Sequence, residues 1–296
     1  MGLKPIVLPE RYNYIGVFLT LRCTMGCSYC INRYDALNRR EHQLDAGEWL
    51  RGLNRLETRA DLPITLQGGE PTLHPDFYAI VNGLRPDLPL DLLTNLQFDV
   101  DEFMARISPD RFKREAPYAS IRVSFHPERM EIGALEEKVL KLLENNYSVG
   151  IWGVDHPAFS DRVRAAQEEC LAAGIDFRIK EFLGEYDGRF YGTYSYPGSL
   201  SKKDNGPVQC RTTELLIGPG GNLYRCHSDL YDSRQPYGSL LDPDLVVEDI
   251  FRPCAFYGFC NPCDVKTKTN RFQEIGHTSV EIRSVGHVAC KVESEG

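Results

Sequence analysis

The sequence predicts an α/β protein: a partial (β/α)6 TIM-like barrel followed by a small cysteine-rich domain with a β-hairpin and a helix. From residue 14, short apolar runs rich in β-forming residues alternate six times with helical patterns, which is typical of a parallel sheet. After residue 183, Gly, Tyr, Ser and Pro replace this alternation. The chain beyond residue 186 then contains six of the ten cysteines, so we expect a second module there.

Each element follows from its local pattern. The predicted strands of the barrel are 14–20, 64–67, 90–94, 119–125, 149–154 and 175–182. Apolar residues at helical spacing predict helices over 45–56, 134–143 and 160–173, and Gly174 is expected to end the last of these. The turn Gly218-Pro219-Gly220-Gly221 lies between two β-rich runs and predicts a hairpin.

These elements predict three regions. Residues 1–185 form the barrel, 186–209 a linker or substrate-covering loop, and 210–296 the cysteine-rich domain with a tail that is disordered from about residue 291.

Composition restricts the class of protein. The 296 residues are 42% hydrophobic and 26% charged, and no apolar run approaches the ~18 residues of a membrane span. The first residues lack the pattern of a signal peptide, so we expect a cytoplasmic protein. A net charge of -8 disfavours nucleic acid as a partner. Ten cysteines in a reducing compartment point to metal or redox chemistry.

The first cysteine motif follows the first predicted strand directly. Cys23, Cys27 and Cys30 have the spacing Cys-x3-Cys-x2-Cys, and three thiolates can hold three irons of a cubane while the fourth iron stays open. This loop resembles the signature of the radical S-adenosylmethionine (SAM) superfamily. The resemblance implies that the open iron binds SAM, and that an electron from the cluster cleaves SAM to a 5′-deoxyadenosyl radical, which abstracts a hydrogen atom from substrate.

The same resemblance implies contacts to SAM at the ends of the strands. Tyr29 matches the aromatic position near the adenine, and the segment Gly68-Gly69-Glu70 matches the one that contacts the methionine amino group. Asn95 and Ser124 match contacts to the ribose and carboxylate. Weaker candidates are Gly153, Lys180 and Glu181. Without the resemblance, Tyr29 would be an ordinary loop aromatic, the glycine pair a turn, and Gly153 a packing residue.

A second cysteine set resembles the SPASM and shorter twitch extensions of the superfamily, which hold an auxiliary 4Fe-4S cluster. Its members are Cys210, Cys226, Cys254, Cys260 and Cys263. One cluster needs four thiolates, and the simplest set is Cys210, Cys226, Cys260 and Cys263. Cys254 is then free to return a hydrogen atom to a substrate radical. Alternatively, Cys254 is a ligand and another cysteine is spare, or the site is a zinc ribbon.

A free thiol beside such chemistry favours an epimerase that inverts a carbon centre of an aminoglycoside or related amino sugar, with Cys254 as hydrogen donor. The closest resemblance is to epimerases of the neomycin type. The alternatives are a dehydrogenase of an aminocyclitol alcohol and a peptide-modifying enzyme. We expect an external electron donor such as flavodoxin or ferredoxin and a cationic substrate. The acidic or polar candidates for binding that substrate are Asp155, His156, Glu181, Glu185, Asp187 and Asp229.

Overall fold

The structure is a computed structural model that describes residues 3–32, 42–268 and 277–285. The tail predicted from residue 291, and Cys290, lie outside these residues. The strands are β1 Ile6–Val7, β2 Tyr14–Thr20, β3 Leu56–Glu57, β4 Ile64–Gly68, β5 Leu90–Thr94, β6 Ile121–Phe125, β7 Val149–Asp155, β8 Phe177–Glu181, β9 Gly184–Tyr186, β10 Arg189–Tyr191, β11 Val208–Thr212, β12 Glu214–Ile217, β13 Asn222–Tyr224, β14 Gly238–Ser239, β15 Arg252–Cys254 and β16 Val280–Ser284. The helices are α1 Ala46–Leu53, α2 Phe77–Gly83, α3 Val100–Arg106, α4 Ile132–Glu144, α5 Ser160–Ala172, α6 His227–Tyr231 and α7 Pro262–Val265.

One nine-stranded sheet dominates the fold, with the order β14-β13-β12-β2-β4-β5-β6-β7-β8. The run from β2 to β8 is parallel throughout and corresponds to the six predicted barrel strands. The prediction of an α/β fold with a central parallel sheet is therefore confirmed. The hairpin of β12 and β13 extends this sheet, because β12 pairs in parallel with β2.

The predicted ends of the strands agree best with the observed ends where the local sequence alone determines them. Strands β2 and β5 have the predicted bounds, whereas β8 begins at Phe177 rather than at residue 175. The backbone N–H of Ile175 donates to the carbonyl of Cys170 (2.9 Å), so Ile175 still belongs to the turn that closes α5. Gly174 in that turn has φ +81°, a conformation that favours glycine.

Strand register divides the sheet into two faces. Residues such as Val17, Leu66 and Ile151 point towards the helices and form the main core with Trp49 and Phe77. The concave face carries the alternating residues, many of which are polar: Gln67, Asp91, Arg122, Ser124 and Lys180. Because many of its residues are polar, this face is better suited to binding a ligand than to packing against helices.

The region predicted as a linker contains regular structure at its start. Strands β9 and β10 form an antiparallel hairpin at residues 184–191, and the Phe190 ring near its tip is 55% exposed. Further along, β11 forms a separate three-stranded sheet with β15 and β16. Within the described ranges, no helix is both long and apolar enough to cross a membrane.

A buried ion cluster closes the concave face at the N-terminal side of the strands. Asp91 is fully buried and accepts hydrogen bonds from Arg114 (2.8 and 2.9 Å) and Arg122 (3.1 Å). The two guanidinium groups stack on the ring of Tyr118 at 4.6 and 5.2 Å. In this buried cluster the carboxylate and the two guanidinium groups therefore replace the water that each of them loses on folding.

We expect Asp91→Asn to lower the free energy of unfolding by about 3 kcal/mol, because two buried cations would lose their counter-ion. Chemical denaturation monitored by circular dichroism measures this change. The matched control is Asp101→Asn, which removes an exposed pair with Lys141 and should change stability by less than about 1 kcal/mol. Equal effects of the two substitutions would contradict the expected role of Asp91.

Candidate functional site

The first cysteine loop follows the carboxyl end of β2, at the edge where parallel barrels place their sites. Cys23, Cys27 and Cys30 are half-buried, and each lies close enough to another for their charges to interact. Burial is the main cause that raises the pKa of Cys27 to about 11 and that of Cys30 to about 12. Three thiolates gathered here need positive charge, so the donor set fits a cluster of irons.

Backbone contacts hold this loop against the end of β4. The N–H groups of Gly69 and Glu70 donate to the carbonyls of Thr20 (2.9 Å) and Arg22 (2.7 Å). A Cβ on Gly69 would lie 1.9 Å from the Arg22 oxygen, and one on Gly68, where φ is +145°, would lie 2.0 Å from the Thr20 oxygen. Only glycine permits this approach. The glycine pair therefore positions the cysteine loop.

The Glu70 carboxylate connects the carboxyl ends of β4 and β5. It is buried and accepts hydrogen bonds from the Asn95 backbone N–H (2.7 Å) and from the hydroxyls of Thr94 (2.8 Å) and Thr72 (2.7 Å). The Asn95 amide in turn donates to the Thr24 hydroxyl (3.0 Å) and approaches the Cys23 sulfur at 3.6 Å. Glu70 thus acts on the cysteine loop through Asn95.

Aromatic rings gather on the opposite side of the loop. The Tyr29 hydroxyl lies 3.2 Å from Nδ1 of His126, and its ring centroid is 5.0 Å from that of His156 and 5.9 Å from that of Phe159. Burial is the main cause that lowers the pKa of His126 to about 4, so this imidazole is neutral at pH 7. Tyr29 is therefore one member of an aromatic group that can accept a flat ring.

Ser124 and Gly153 lie on different faces of the sheet. Ser124 pairs with Trp152 on the concave face. A Cβ on Gly153 would lie 2.7 Å from Val163 and 3.0 Å from the Phe177 ring, both of which belong to the main core. Close packing against α5 explains Gly153, so the structure gives no support to a role in binding SAM.

The C-terminal cysteines separate into two groups. Cys210, Cys226, Cys254 and Cys260 line one pocket, together with Phe256 and Ile282. The pairing of β11 with β15 places Cys254 diagonally across from Cys210, and the neighbouring Cys210 thiol holds the pKa of Cys254 below its ordinary value. Cys263 does not line this pocket. The geometry therefore favours Cys254 over Cys263 as the fourth member of the set.

Cys263 belongs to α7 and lies near the concave face. Its charge influences the pKa of Lys180, on β8, and that of Tyr194. The Lys180 side chain is exposed, and neighbouring cations contribute to the lowering of its pKa. Cys263 follows Asn261, which donates to the carbonyl of Ile31 (3.2 Å), so this half-buried thiol lies on the side of the C-terminal module that meets the first cysteine loop.

Several side chains that the sequence did not single out connect the two cysteine regions. Asp264 accepts hydrogen bonds from Nδ1 of His227 (2.8 Å) and from its backbone N–H (2.9 Å), which joins α7 to α6. Asn261 donates to the carbonyl of Ile31 (3.2 Å), and the Tyr231 hydroxyl donates to Asn32 (2.6 Å). Residues directly after Cys30 are therefore held by the C-terminal module.

Comparisons with known proteins identify the family. The profile of the radical SAM superfamily matches residues 17–166, which include the cysteine loop, the glycine pair and Ser124. The chain belongs to the radical SAM superfamily. Membership implies a 4Fe-4S cluster and SAM.

Individual radical SAM proteins resemble shorter or longer parts of the chain. A PqqA peptide cyclase of Methylorubrum extorquens is 44% identical over 62 residues, 21% of this chain and 16% of that protein. An S-adenosylmethionine-dependent nucleotide dehydratase of Selenomonas ruminantium is 34% identical over 83 residues, 27% of this chain and 29% of that protein. A GTP 3',8-cyclase of Actinobacillus succinogenes is 22% identical over 222 residues, 74% of this chain and 58% of that protein. The chain therefore spans less than two thirds of these relatives.

Solved structures of radical SAM enzymes share the fold. Native anSMEcpe with bound AdoMet aligns with a TM-score of 0.54 and 13% identity, covering 80% of this chain and 78% of that chain. At this level of identity the similarity concerns the fold alone.

The acidic residues predicted to bind a cationic substrate are mostly engaged elsewhere in this radical SAM fold. Asp155 pairs with Arg164 (2.7 Å), Glu185 with Lys202 (2.8 Å), and Asp229 with Arg225 (2.8 Å). His156 is buried among aromatic rings. Glu181 and Asp187 remain exposed. This part of the sequence prediction therefore receives little support from the geometry.

We expect Gly69→Ala to remove the iron held by the first cysteine loop, because a Cβ would push the loop from β4. Iron and acid-labile sulfide per chain after anaerobic reconstitution should each fall by about four. Gly133→Ala in α4 is the control, since a Cβ there meets no atom within 4 Å. Full iron content in Gly69→Ala would show that the loop tolerates the displacement.

Proposed function

We propose that the protein is a radical SAM epimerase, which inverts a carbon centre of a small molecule. The observation that carries this proposal is the position of Cys263. This thiol lies outside the pocket lined by the other four C-terminal cysteines, two residues after Asn261, whose side chain donates to the carbonyl of Ile31 beside the first cysteine loop (3.2 Å). An epimerase needs such a thiol, since a hydrogen atom must return to the face opposite the one from which it was removed.

In this proposal, Cys23, Cys27 and Cys30 hold the SAM-binding cluster, and Tyr29, Gly68, Gly69, Glu70, Asn95 and Ser124 surround SAM. When bound by these residues, the cluster and SAM would supply the radical chemistry that begins the reaction, the removal of a hydrogen atom from substrate. Glu70 and Asn95 keep the cysteine loop in place, and Tyr29 with His156 offers the adenine an aromatic surface.

The hydrogen return is assigned to Cys263. Its S–H bond breaks and a C–H bond forms at the substrate radical, which leaves one unpaired electron on sulfur. One electron and one proton restore the thiol, and the electron comes from an external one-electron reductant such as ferredoxin or flavodoxin. Two reducing electrons and one SAM are then consumed for each inversion.

Cys210, Cys226, Cys254 and Cys260 are the proposed ligands of an auxiliary 4Fe-4S cluster. Four thiols around one pocket are the donors that such a cluster requires. A single zinc ion would use the same four thiolates, so a zinc measurement distinguishes the two occupants.

The substrate class is proposed from the resemblance to known enzymes. An aminoglycoside or related amino sugar is the substrate that the resemblance to neomycin-type epimerases implies. Two relatives are instead named for reactions of nucleotides and one for a peptide. A dehydrogenase would begin with the same hydrogen abstraction but would release a ketone, with no hydrogen atom returned to the substrate. Analysis of the product in heavy water distinguishes the two reactions.

The ligand assignment is tested by counting iron. The reconstituted protein should contain about eight irons and eight sulfides, Cys254→Ala about four, and Cys263→Ala about eight. Zinc measured in the same samples tests the alternative that the C-terminal cysteines form a zinc ribbon. If iron were instead lost only from Cys263→Ala, Cys263 would be a cluster ligand and Cys254 would be the free thiol.

Hydrogen return is tested in heavy water. Aminoglycosides and phosphorylated sugars are incubated with SAM and reductant, and products are examined for one deuterium at an inverted carbon. Cys263→Ser should still form 5′-deoxyadenosine but incorporate no deuterium, because the serine O–H bond is too strong to give up its hydrogen atom. Undiminished deuterium uptake by Cys263→Ser, or a ketone product from the native protein, would refute the epimerase.

A further inference from the structure

The β6–α4 loop, residues 126–131, contacts the first cysteine loop on its solvent side. One carboxylate oxygen of Glu128 accepts hydrogen bonds from the backbone N–H of Ser28 (2.8 Å) and from the Ser28 hydroxyl (3.1 Å). The guanidinium group of Arg129 donates to the backbone carbonyl of Gly26 (2.6 Å). These partners are 100 and 103 positions apart in the sequence, so only the fold brings them together.

These contacts lie on both sides of one cysteine. Gly26 precedes Cys27 and Ser28 follows it, so the backbone is held immediately before and immediately after this thiol. The next residue, Tyr29, has its hydroxyl 3.2 Å from Nδ1 of His126 in the same β6–α4 loop. The position of the Cys27 sulfur is therefore determined by contacts that its own side chain does not make.

The ends of β4 and β5 hold a different part of the cysteine loop. The contacts of Glu70 and Asn95 reach it at Cys23 and Thr24. Residues 21–32 contain no helix or strand, and such a segment loses conformational entropy when three thiolates converge on one group. Contacts that already fix the backbone reduce this cost. The second half of the loop obtains such contacts from the β6–α4 loop.

The β6–α4 loop is itself anchored in the barrel. The backbone N–H groups of Arg129 (2.8 Å) and Met130 (2.9 Å) both donate to the carbonyl of His126, which closes a turn. The side chain of Met130 is buried in the main core, and its sulfur accepts from the backbone N–H of His126 (3.3 Å). Within the turn, Oε1 of Glu128 lies 3.6 Å from the guanidinium group of Arg129. A turn anchored in this way can hold the exposed loop that it contacts.

We propose that Glu128 is a positioning residue for the SAM-binding cluster, and that with Arg129 it holds the backbone around Cys27 in the geometry that the cluster requires. This inference rests on the part of the proposed function that assigns Cys23, Cys27 and Cys30 to this cluster, and it does not depend on epimerisation. Hydrogen bonds to a carboxylate are about twice as strong as those between neutral groups, so Glu128 is the main contributor.

Hydrogen–deuterium exchange of the fully reconstituted, full-length protein is the first test. In Glu128→Ala the peptide that contains Ser28 should exchange about ten-fold faster than in the native protein, because its N–H loses the acceptor. Glu128→Gln should restore most of the protection, since the amide oxygen can accept the same hydrogen bond. The matched control is Glu131→Ala, which removes an exposed carboxylate paired with Arg162 (3.4 Å) and should change nothing.

Iron release to a chelator under anaerobic conditions is the second test. About four irons per chain should be released about ten-fold faster from Glu128→Ala than from the native protein, and the others at the native rate. Glu128→Gln should again resemble the native protein. Cys27→Ala, which lacks a ligand of the SAM-binding cluster, identifies which irons these are. Circular dichroism should show the same folded structure in all variants.

Three results would overturn the proposal. The first is a native rate of exchange at Ser28 in Glu128→Ala, and the second is a native rate of iron release in the same variant. The third is an equal acceleration in Glu131→Ala, which would indicate a general effect of lost negative charge. Neither measurement uses a substrate, so their outcome is independent of the deuterium experiment. The iron content of Cys27→Ala separately tests the assignment of the cluster to this loop.

Discussion

Strand β2 is hydrogen-bonded in parallel on both sides, to β4 and to β12, and the positions of both cysteine regions depend on this pairing. Its carboxyl end leads directly into the loop of Cys23, Cys27 and Cys30. Strand β12 leads through its hairpin to Cys226. The first cysteine loop and the hairpin that leads to Cys226 are therefore attached to one sheet, although 195 residues (31–225) separate Cys30 from Cys226.

The register of the parallel strands explains how one sheet supplies both stability and chemistry. Alternate residues on the helix side are apolar and form the main core, so the opposite side is free to carry charge. Polar groups there are expensive to bury, and the structure satisfies some of them internally, as with Asp91 and its two arginines.

The sequence was sufficient for features that depend on local pattern. The barrel strands, the hairpin around Gly220 and the cysteine loop all follow from spacing and periodicity. It was insufficient where distant segments meet. The choice between Cys254 and Cys263 depends on the pairing of β11 with β15, which brings Cys254 beside Cys210. Likewise, Asn261 meets Ile31 only in the folded protein, and no local signal in either segment predicts that contact.

The hydrogen bonds from Asn261 and Tyr231 to Ile31 and Asn32 give the C-terminal module a grip on the segment that leaves the first cysteine loop. Both donors lie beside cysteines of the second set, one after Cys260 and one at the end of the helix that Cys226 begins. A change in the backbone between Asn261 and Cys263, or at the end of α6, would therefore shift the residues that directly follow Cys30. The C-terminal module thus buttresses the exit of the first cysteine loop from outside the barrel.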